Sequence, residues 1–159
     1  MTLILVADND WAIGVDGGLL TKLPLDMKHF RTTTENHAVV MGRKTYESFP
    51  KRPLANRENI VLSRTVREYD GARVFSSAED FLEYSRTIKS EIYVIGGGEI
   101  YRRLLAYCDT ALITRVYECF GGDTFFEDMD ALPDWELAQA SPVTETGCHR
   151  IRFMRYVRK

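Results

Sequence analysis

The chain has 159 residues, 45% of them hydrophobic and 28% charged, with a formal net charge of −2. That length supports one well-buried core and leaves no room for two ordinary domains. The near-balanced charge gives neither the basic face of a nucleic-acid binder nor an acidic tail.

The first run, Met1 to Ala7, is apolar and turns polar at Asp8-Asn9-Asp10. It lacks the basic flank and the length of a signal or membrane segment, so it reads as a buried strand. Asp10 to Lys22, "DWAIGVDGGLLTK", shows no regular periodicity and is longer than an ordinary connection. Its Gly14, Gly17 and Gly18 suit a mobile lid, and Ile13, Leu19 and Leu20 are needlessly apolar for the alternative, a disordered surface excursion. A helix is then predicted over Pro24–Thr34, with proline at the first helical position, where a missing N–H does no harm. On its wheel Leu23, Met27, Phe30 and Thr34 share a face, while Lys28 and His29 point the other way. Asp26 falls on the rim of the apolar face, as a candidate acid or as a first-turn charge favoured by the helix dipole.

Next, a strand at Ala38–Met41 ends in Gly42, and a helix is expected over Lys44–Phe49. Arg43 and Lys44 sit at the start of that helix, where positive charge opposes the dipole. An anionic ligand would relieve the conflict, and two solvated surface charges are the alternative. Strands follow at Asn59–Ser63 and Ala72–Phe75, a helix at Ala78–Ile88, and a strand at Glu91–Ile95. In "IYVIGGGEIYRRLL", Ile92 to Leu105, that strand runs straight into Gly96-Gly97-Gly98 and a helix over Glu99–Ala106. Such a junction lets backbone N–H groups approach a phosphate. It matches neither a Walker loop nor the G-x-G-x-x-G fingerprint, and a tight turn needing positive φ is the alternative.

A strand at Ala111–Val116 precedes Trp135–Ala140 and His149–Val157, which lack an intervening helix and predict a closing antiparallel hairpin. Strands alternating with helices make the chain an α/β protein, a single domain over residues 1–159, with a central mixed, mostly parallel sheet and helices on both faces. Cys108, Cys119 and Cys148 are odd in number, widely spaced and free of C-x-x-C, which suggests a reducing, cytoplasmic setting. His29, His37 and His149 are scattered, no cluster has metal-ligand spacing, and no nucleophile elbow is present. No metal is expected.

Taken together, "WAIGVDG", "LPLDMKHF", "VVMGRKTYESFPKRPLANRENIVLSR", "YVIGGGEIY", "LITRV" and "GGDTFF" resemble the dihydrofolate reductase family, in order and over nearly the whole chain. The resemblance implies an eight-stranded sheet with four helices, NADPH as hydride donor and dihydrofolate as acceptor. It further implies a cytoplasmic monomer in tetrahydrofolate biosynthesis and an antifolate target. Its partner is a small-molecule substrate, with no nucleic acid and no membrane.

Carried over by residue, Asp26 looks like the carboxylate that grips the pterin 2-amino group and ring N3, with Thr114 bonded to it. Ile4, Leu5, Met27, Phe30, Phe49 and Leu54 would wall the substrate, Arg57 would pair with its glutamate carboxylate, and Arg52 would lie nearby. On the cofactor side the resemblance implies Val6, Ile13, Gly14, Gly18 and Leu19 near the nicotinamide. Gly42, Arg43, Lys44, Thr45, Leu62, Ser63 and Arg64 would surround the adenosine end and its 2′-phosphate. Ile95, Gly96, Gly97, Gly98, Glu99, Ile100 and Tyr101 would form the glycine junction, whose Gly96–Gly97 peptide is cis in the family. Asp123 and Thr124 would pack near the lid.

One departure stands out. Where the family commonly has Pro-Trp before the active-site helix, this chain has Leu20-Thr21. Thr21 is then expected to hold an ordered water near the pterin. Two other readings remain: a pyrimidinone reductase of riboflavin synthesis, which lacks the helix-rim aspartate beside an aromatic, and a nucleotide-binding regulatory module without turnover.

Overall fold

A computed structural model describes residues 1–159. In chain order it contains β1 (Thr2–Ala7), β2 (Ala12–Gly14), α1 (Pro24–Thr34), β3 (Ala38–Gly42), α2 (Arg43–Ser48), β4 (Glu58–Leu62), β5 (Ala72–Phe75), α3 (Ala78–Ser85), β6 (Ile92–Val94) and α4 (Gly98–Leu104). A 3₁₀ turn at Leu105–Tyr107 leads to β7 (Thr110–Val116), β8 (Thr124–Phe125), β9 (Trp135–Ala140), β10 (Thr144–Thr146) and β11 (His149–Arg158). The main sheet runs β10-β11-β7-β1-β6-β3-β4-β5, with β9 also on β11. β10 pairs with Thr146↔His149 to Thr144↔Ile151, and β9 with Ala140↔Met154 to Trp135↔Arg158. They share one edge of β11, so the strands fill eight positions.

The six strands from β7 to β5 are mutually parallel and β11 is antiparallel to β7, which gives the expected mixed, mostly parallel sheet. The chain leaves β1, builds outward through β3, β4 and β5, then returns to insert β6 between β1 and β3. Reversals of this kind leave a crevice at the carboxyl ends of the strands, where open α/β sheets bind their ligands.

Alternation along β1 separates two cores. Leu3, Leu5 and Ala7 pack with Phe81, Ile100 and Leu104 from α3 and α4. Ile4 points to the opposite face, among Val39, Met41, Tyr46, Val61 and Ile95, and Phe30 and Phe49 from the α1–α2 side cover it. Val6 on that same face joins Leu23, Val116 and Ile151 under the start of α1. Because strand side chains alternate, one-residue parity decides which core each residue joins.

Some boundaries differ from the sequence reading. The helix expected to reach Ile88 ends at Ser85, because the N–H groups of Arg86, Thr87 and Ile88 bond three residues back, to Glu83, Tyr84 and Ser85, tightening the chain into turns. β9 and β11 pair antiparallel as predicted, yet β10 intervenes between them and makes the tight hairpin itself. β2, β8 and β10, of two or three residues, carried no periodic signal to read. His29 does not point to solvent: its ring lies 4.6 Å from that of Phe153 on β11, and burial lowers its pKa, against the opposing pull of Asp26.

Candidate active site

Three parallel strands end side by side: β3 in Gly42, β4 in Leu62 followed by Ser63, and β6 in Val94 followed by Ile95 and Gly96. A cleft of about 580 Å³ opens above these ends. Ile13, Gly14, Gly18, Leu19, Gly42, Arg43, Lys44, Thr45, Leu62, Ser63, Arg64, Thr124 and the run Ile95 to Tyr101 all line it. Of the residues expected on the cofactor side, only Val6 is elsewhere, because its side chain is packed beneath α1. The sequence reading missed the wall at Ser76, Ser77 and Ala78. Ser77 caps α3 by accepting the Asp80 N–H at 3.1 Å, so this is a further strand-to-helix junction of the kind already seen at Gly42 and Gly96.

The glycine cradle is required by close approach. Gly96 has φ +118°, and a Cβ there would lie 3.3 Å from the Tyr101 ring. At Gly98 a Cβ would come within 2.8 Å of Thr124 Cγ2, whereas at Gly97 it would meet only Thr45 Oγ1, at 3.6 Å. The Gly96–Gly97 peptide is cis, as the resemblance implied. Tyr101 is fixed behind this cradle by donating its hydroxyl to the Ile4 carbonyl at 2.8 Å. The open face is thus backbone, suited to a flat or phosphorylated group that must come close.

The cations at the other end are not equivalent. Arg43 Nη1 pairs with Glu47 Oε2 at 2.8 Å, which resolves part of its conflict with the α2 dipole inside the protein. Lys44 and Arg64 have no carboxylate within 4.0 Å and stand at the cleft with their charge available. Arg103 is paired to Glu99 at 2.7 Å.

Over the cleft, the lid is more ordered than its sequence suggested. β2 pairs with β8, Val15 bridges Gly18, and Asp123 Oδ2 accepts the Asp16 N–H at 2.9 Å. Two donors, Asp16 N–H and the Thr124 hydroxyl, hold the Asp123 carboxyl below its ordinary range. The base of the lid is anchored by Asp8, a fully buried carboxylate that accepts N–H bonds from Asp10, Ala12 and Phe120 at 2.9–3.0 Å. Trp11 is buried under the Arg115 guanidinium, 4.0 Å from its ring centre, and so does not replace the family's tryptophan.

The second half of the site surrounds Asp26. Thr114, buried on β7 and in register with Val6, donates its hydroxyl to Asp26 Oδ1 at 2.6 Å. Burial raises the Asp26 pKa, and the Thr114 bond and the nearby His29 pull it back in part. The half-buried carboxylate keeps lone pairs for a ligand. Phe30, Phe49 and Leu54 pack against Ile4 and Ile95 as the adjoining apolar wall. Met27 is 57% exposed at the open edge. Leu5 is a correction: its side chain is on the α3–α4 side of the sheet, across from that wall.

Arg57 is positioned at the far end by bonds to Thr34 Oγ1 and the Ala55 carbonyl, 5.9 Å from the Phe30 ring centre. Arg52 donates to the Glu47 carbonyl beside it. Thr21 is a second correction. Its hydroxyl meets His149 Nε2 at 3.5 Å, because the chain entering α1 turns toward the β10–β11 hairpin.

The chain is similar to known proteins over its whole described length. The family model described as dihydrofolate reductase matches residues 1–158. The dihydrofolate reductase of Bacillus subtilis is 35% identical, covering 100% of this chain and 95% of that protein. That of Haemophilus influenzae is 35% identical, over 99% and 98%. A solved dihydrofolate reductase from Enterococcus faecalis, complexed with NADP(H) and RAB-propyl, superposes with a TM-score of 0.86 at 34% identity, covering 99% of this chain and 95% of that one. The chain belongs to the dihydrofolate reductase family.

Proposed function

We propose that the protein reduces 7,8-dihydrofolate to 5,6,7,8-tetrahydrofolate with NADPH. The observation that carries this reading is the half-buried Asp26 carboxylate, bonded to Thr114 at 2.6 Å, on the apolar wall that adjoins a glycine-built cleft. The residues present fit the dinucleotide. Gly96 to Gly98 present backbone to the cleft, closely backed by Tyr101 and Thr124, and Lys44 and Arg64 offer unpaired charge to a 2′-phosphate, beside the hydroxyls of Ser63, Ser76 and Ser77. When bound, the cofactor supplies the hydride delivered to C6 of the pterin.

The chain's own residues set up that transfer. Asp26 accepts hydrogen bonds from the 2-amino group and N3, a two-point, charge-assisted contact that fixes the ring's orientation. Phe30, Phe49 and Ile4 hold the rings, and Arg57 pairs with the terminal carboxylate. Orientation of this kind is worth several kcal/mol, about 7 or more where the geometry is near-attack. The negative charge of Asp26 favours the pterin protonated at N5. A carboxylate engaged at N3 cannot itself reach N5 on the second ring, so water carries the proton there.

Thr114 is a positioning residue that acts through Asp26. No helix is long and apolar enough to cross a membrane. We further read residues 1–159 as one domain acting as a monomer, and place it in the cytoplasm, a setting that suits its three free cysteines. The decisive assay follows NADPH oxidation with 7,8-dihydrofolate as acceptor. Oxidation only with a pyrimidinone acceptor would move the protein to the riboflavin-type reductases, and cofactor binding without oxidation would make it a regulatory module.

A further inference from the structure

The three cysteines occupy very different surroundings. Cys108 is buried, donates its thiol to the Leu104 carbonyl at 3.3 Å, and has its pKa pushed up to about 12. Cys119 is exposed, but hydrogen bonding to the Asp10 carboxylate raises its pKa and so disfavours the thiolate. Cys148 is exposed at the two-residue turn between β10 and β11, with Sγ 3.6 Å from His149 Nε2. The other ring nitrogen, Nδ1, lies 2.8 Å from Glu118 Oε1.

Glu118 is part of why this ring is oriented. A carboxylate can only accept, so Nδ1 carries the proton and the lone pair of the neutral imidazole is on Nε2, within reach of both the Cys148 thiol at 3.6 Å and the Thr21 hydroxyl at 3.5 Å. Phe120 packs edge-on against the ring, with centroids 5.6 Å apart, and limits its rotation. Nucleophile, base and orienting carboxylate are thus in sequence, which is the general arrangement for activating a sulfur. None of the three belongs to the reductase site, and the cluster comes from two separate segments, Glu118 beyond β7 and Cys148-His149 at the head of β11.

We propose that Cys148, activated by His149 and Glu118, is a thiol–disulfide exchange site for low-molecular-weight disulfides. His149 Nε2 takes the proton from Sγ as the sulfur attacks one sulfur of the disulfide. The old S–S bond breaks, a new one forms to Cys148, and the departing thiolate takes up the proton from His149. Cys148 is oxidised to the mixed disulfide while half of the reagent leaves as reduced thiol, so no other oxidant is needed.

The test uses the full-length reduced protein with oxidised glutathione, followed by peptide mass spectrometry in which Cys119 serves as the internal control. Cys148 acquires glutathione first, Cys119 follows slowly, and Cys108 remains free while the protein is folded. His149→Phe keeps the aromatic packing on Phe120 and removes the base. It slows Cys148 modification roughly tenfold or more, still below what a fully positioned base contributes, and leaves Cys119 unchanged. Glu118→Gln, which retains a hydrogen-bond acceptor but not the charge, slows Cys148 to a lesser degree and covers the case in which His149→Phe fails to fold. Modification of Cys119 as fast as Cys148, or Cys148 rates unaltered in both variants, would overturn the proposal.

Discussion

The two halves of the active site are made by different means. The cofactor half is backbone and glycine, set at the ends of β3, β4 and β6, each junction complete within about a dozen residues of sequence. The substrate half depends on side chains that meet across the fold, above all Asp26 and Thr114, 88 positions apart. The first needs the absence of side chains at a few places, since a Cβ at Gly98 would lie 2.8 Å from Thr124. The second needs one ionisable group held where water would otherwise solvate it. A shape-determined site tolerates changes in charge better than changes in bulk, and a charge-determined site does the reverse.

The strongest way to break this contrast is Asp26→Asn. Turnover at neutral pH should fall by roughly a hundredfold or more, the scale of a positioned acid–base group, with NADPH affinity unchanged in a binding titration. Stability should move the other way. Burial raises the folded-state pKa of Asp26, so this group's contribution is favourable below its unfolded pKa and is lost as pH rises through the folded value. At pH 7 the ionised carboxylate is therefore a cost to the fold, and the asparagine variant should show an equal or higher Tm. A lower Tm with normal turnover would reverse both assignments.

Glycine substitutions sharpen the other side of the comparison. Gly96→Ala forces a side chain at φ +118° against Tyr101, with strain on the order of 1–3 kcal/mol, seen as weaker NADPH binding by about tenfold or more. Gly97→Ala meets only Thr45 Oγ1 at 3.6 Å and should have little effect. Equal losses in both would mean that the cradle is not governed by close approach.

Charge at the adenosine end is expected to matter for selectivity more than for binding as such. Removing Lys44 and Arg64 together should narrow the NADPH-over-NADH preference by about tenfold or more, since each charged hydrogen bond contributes roughly 1.5–3 kcal/mol. Arg43→Ala should do less, because Glu47 already engages that guanidinium. Catalytic efficiencies with both cofactors provide the measurement.

Two smaller effects separate positioning from bystander residues. Thr114→Val removes the donor that pulls the Asp26 pKa down, so the pH profile of kcat/KM should shift upward while NADPH affinity stays fixed. Thr21→Val should change dihydrofolate reduction by less than about twofold, within the usual range of a peripheral substitution. The structure accounts for this: the Thr21 hydroxyl faces His149. A clear loss with Thr21→Val would return to that hydroxyl the water-holding role suggested by its place in the sequence.

The sequence by itself determined the alternation of strands and helices, the parallel sheet, the glycine junctions and the rim position of Asp26. These depend on local periodicity and on residues a few positions apart, and each leaves a mark in a short window. Tertiary structure alone decided which core each β1 residue joined, so that Ile4 and Val6 share the α1 side of the sheet, Ile4 at the substrate wall and Val6 beneath the start of α1, while Leu5 joins the α3–α4 side. It decided that Asp8 anchors the lid, that Glu47 partly neutralises Arg43, and that His29 and Thr21 turn toward β11. It also brought Glu118 to His149 beside Cys148. Such pairings arise when separate segments share one side of a twisted sheet, and a one-residue change of parity or register would give different partners to an identical local pattern.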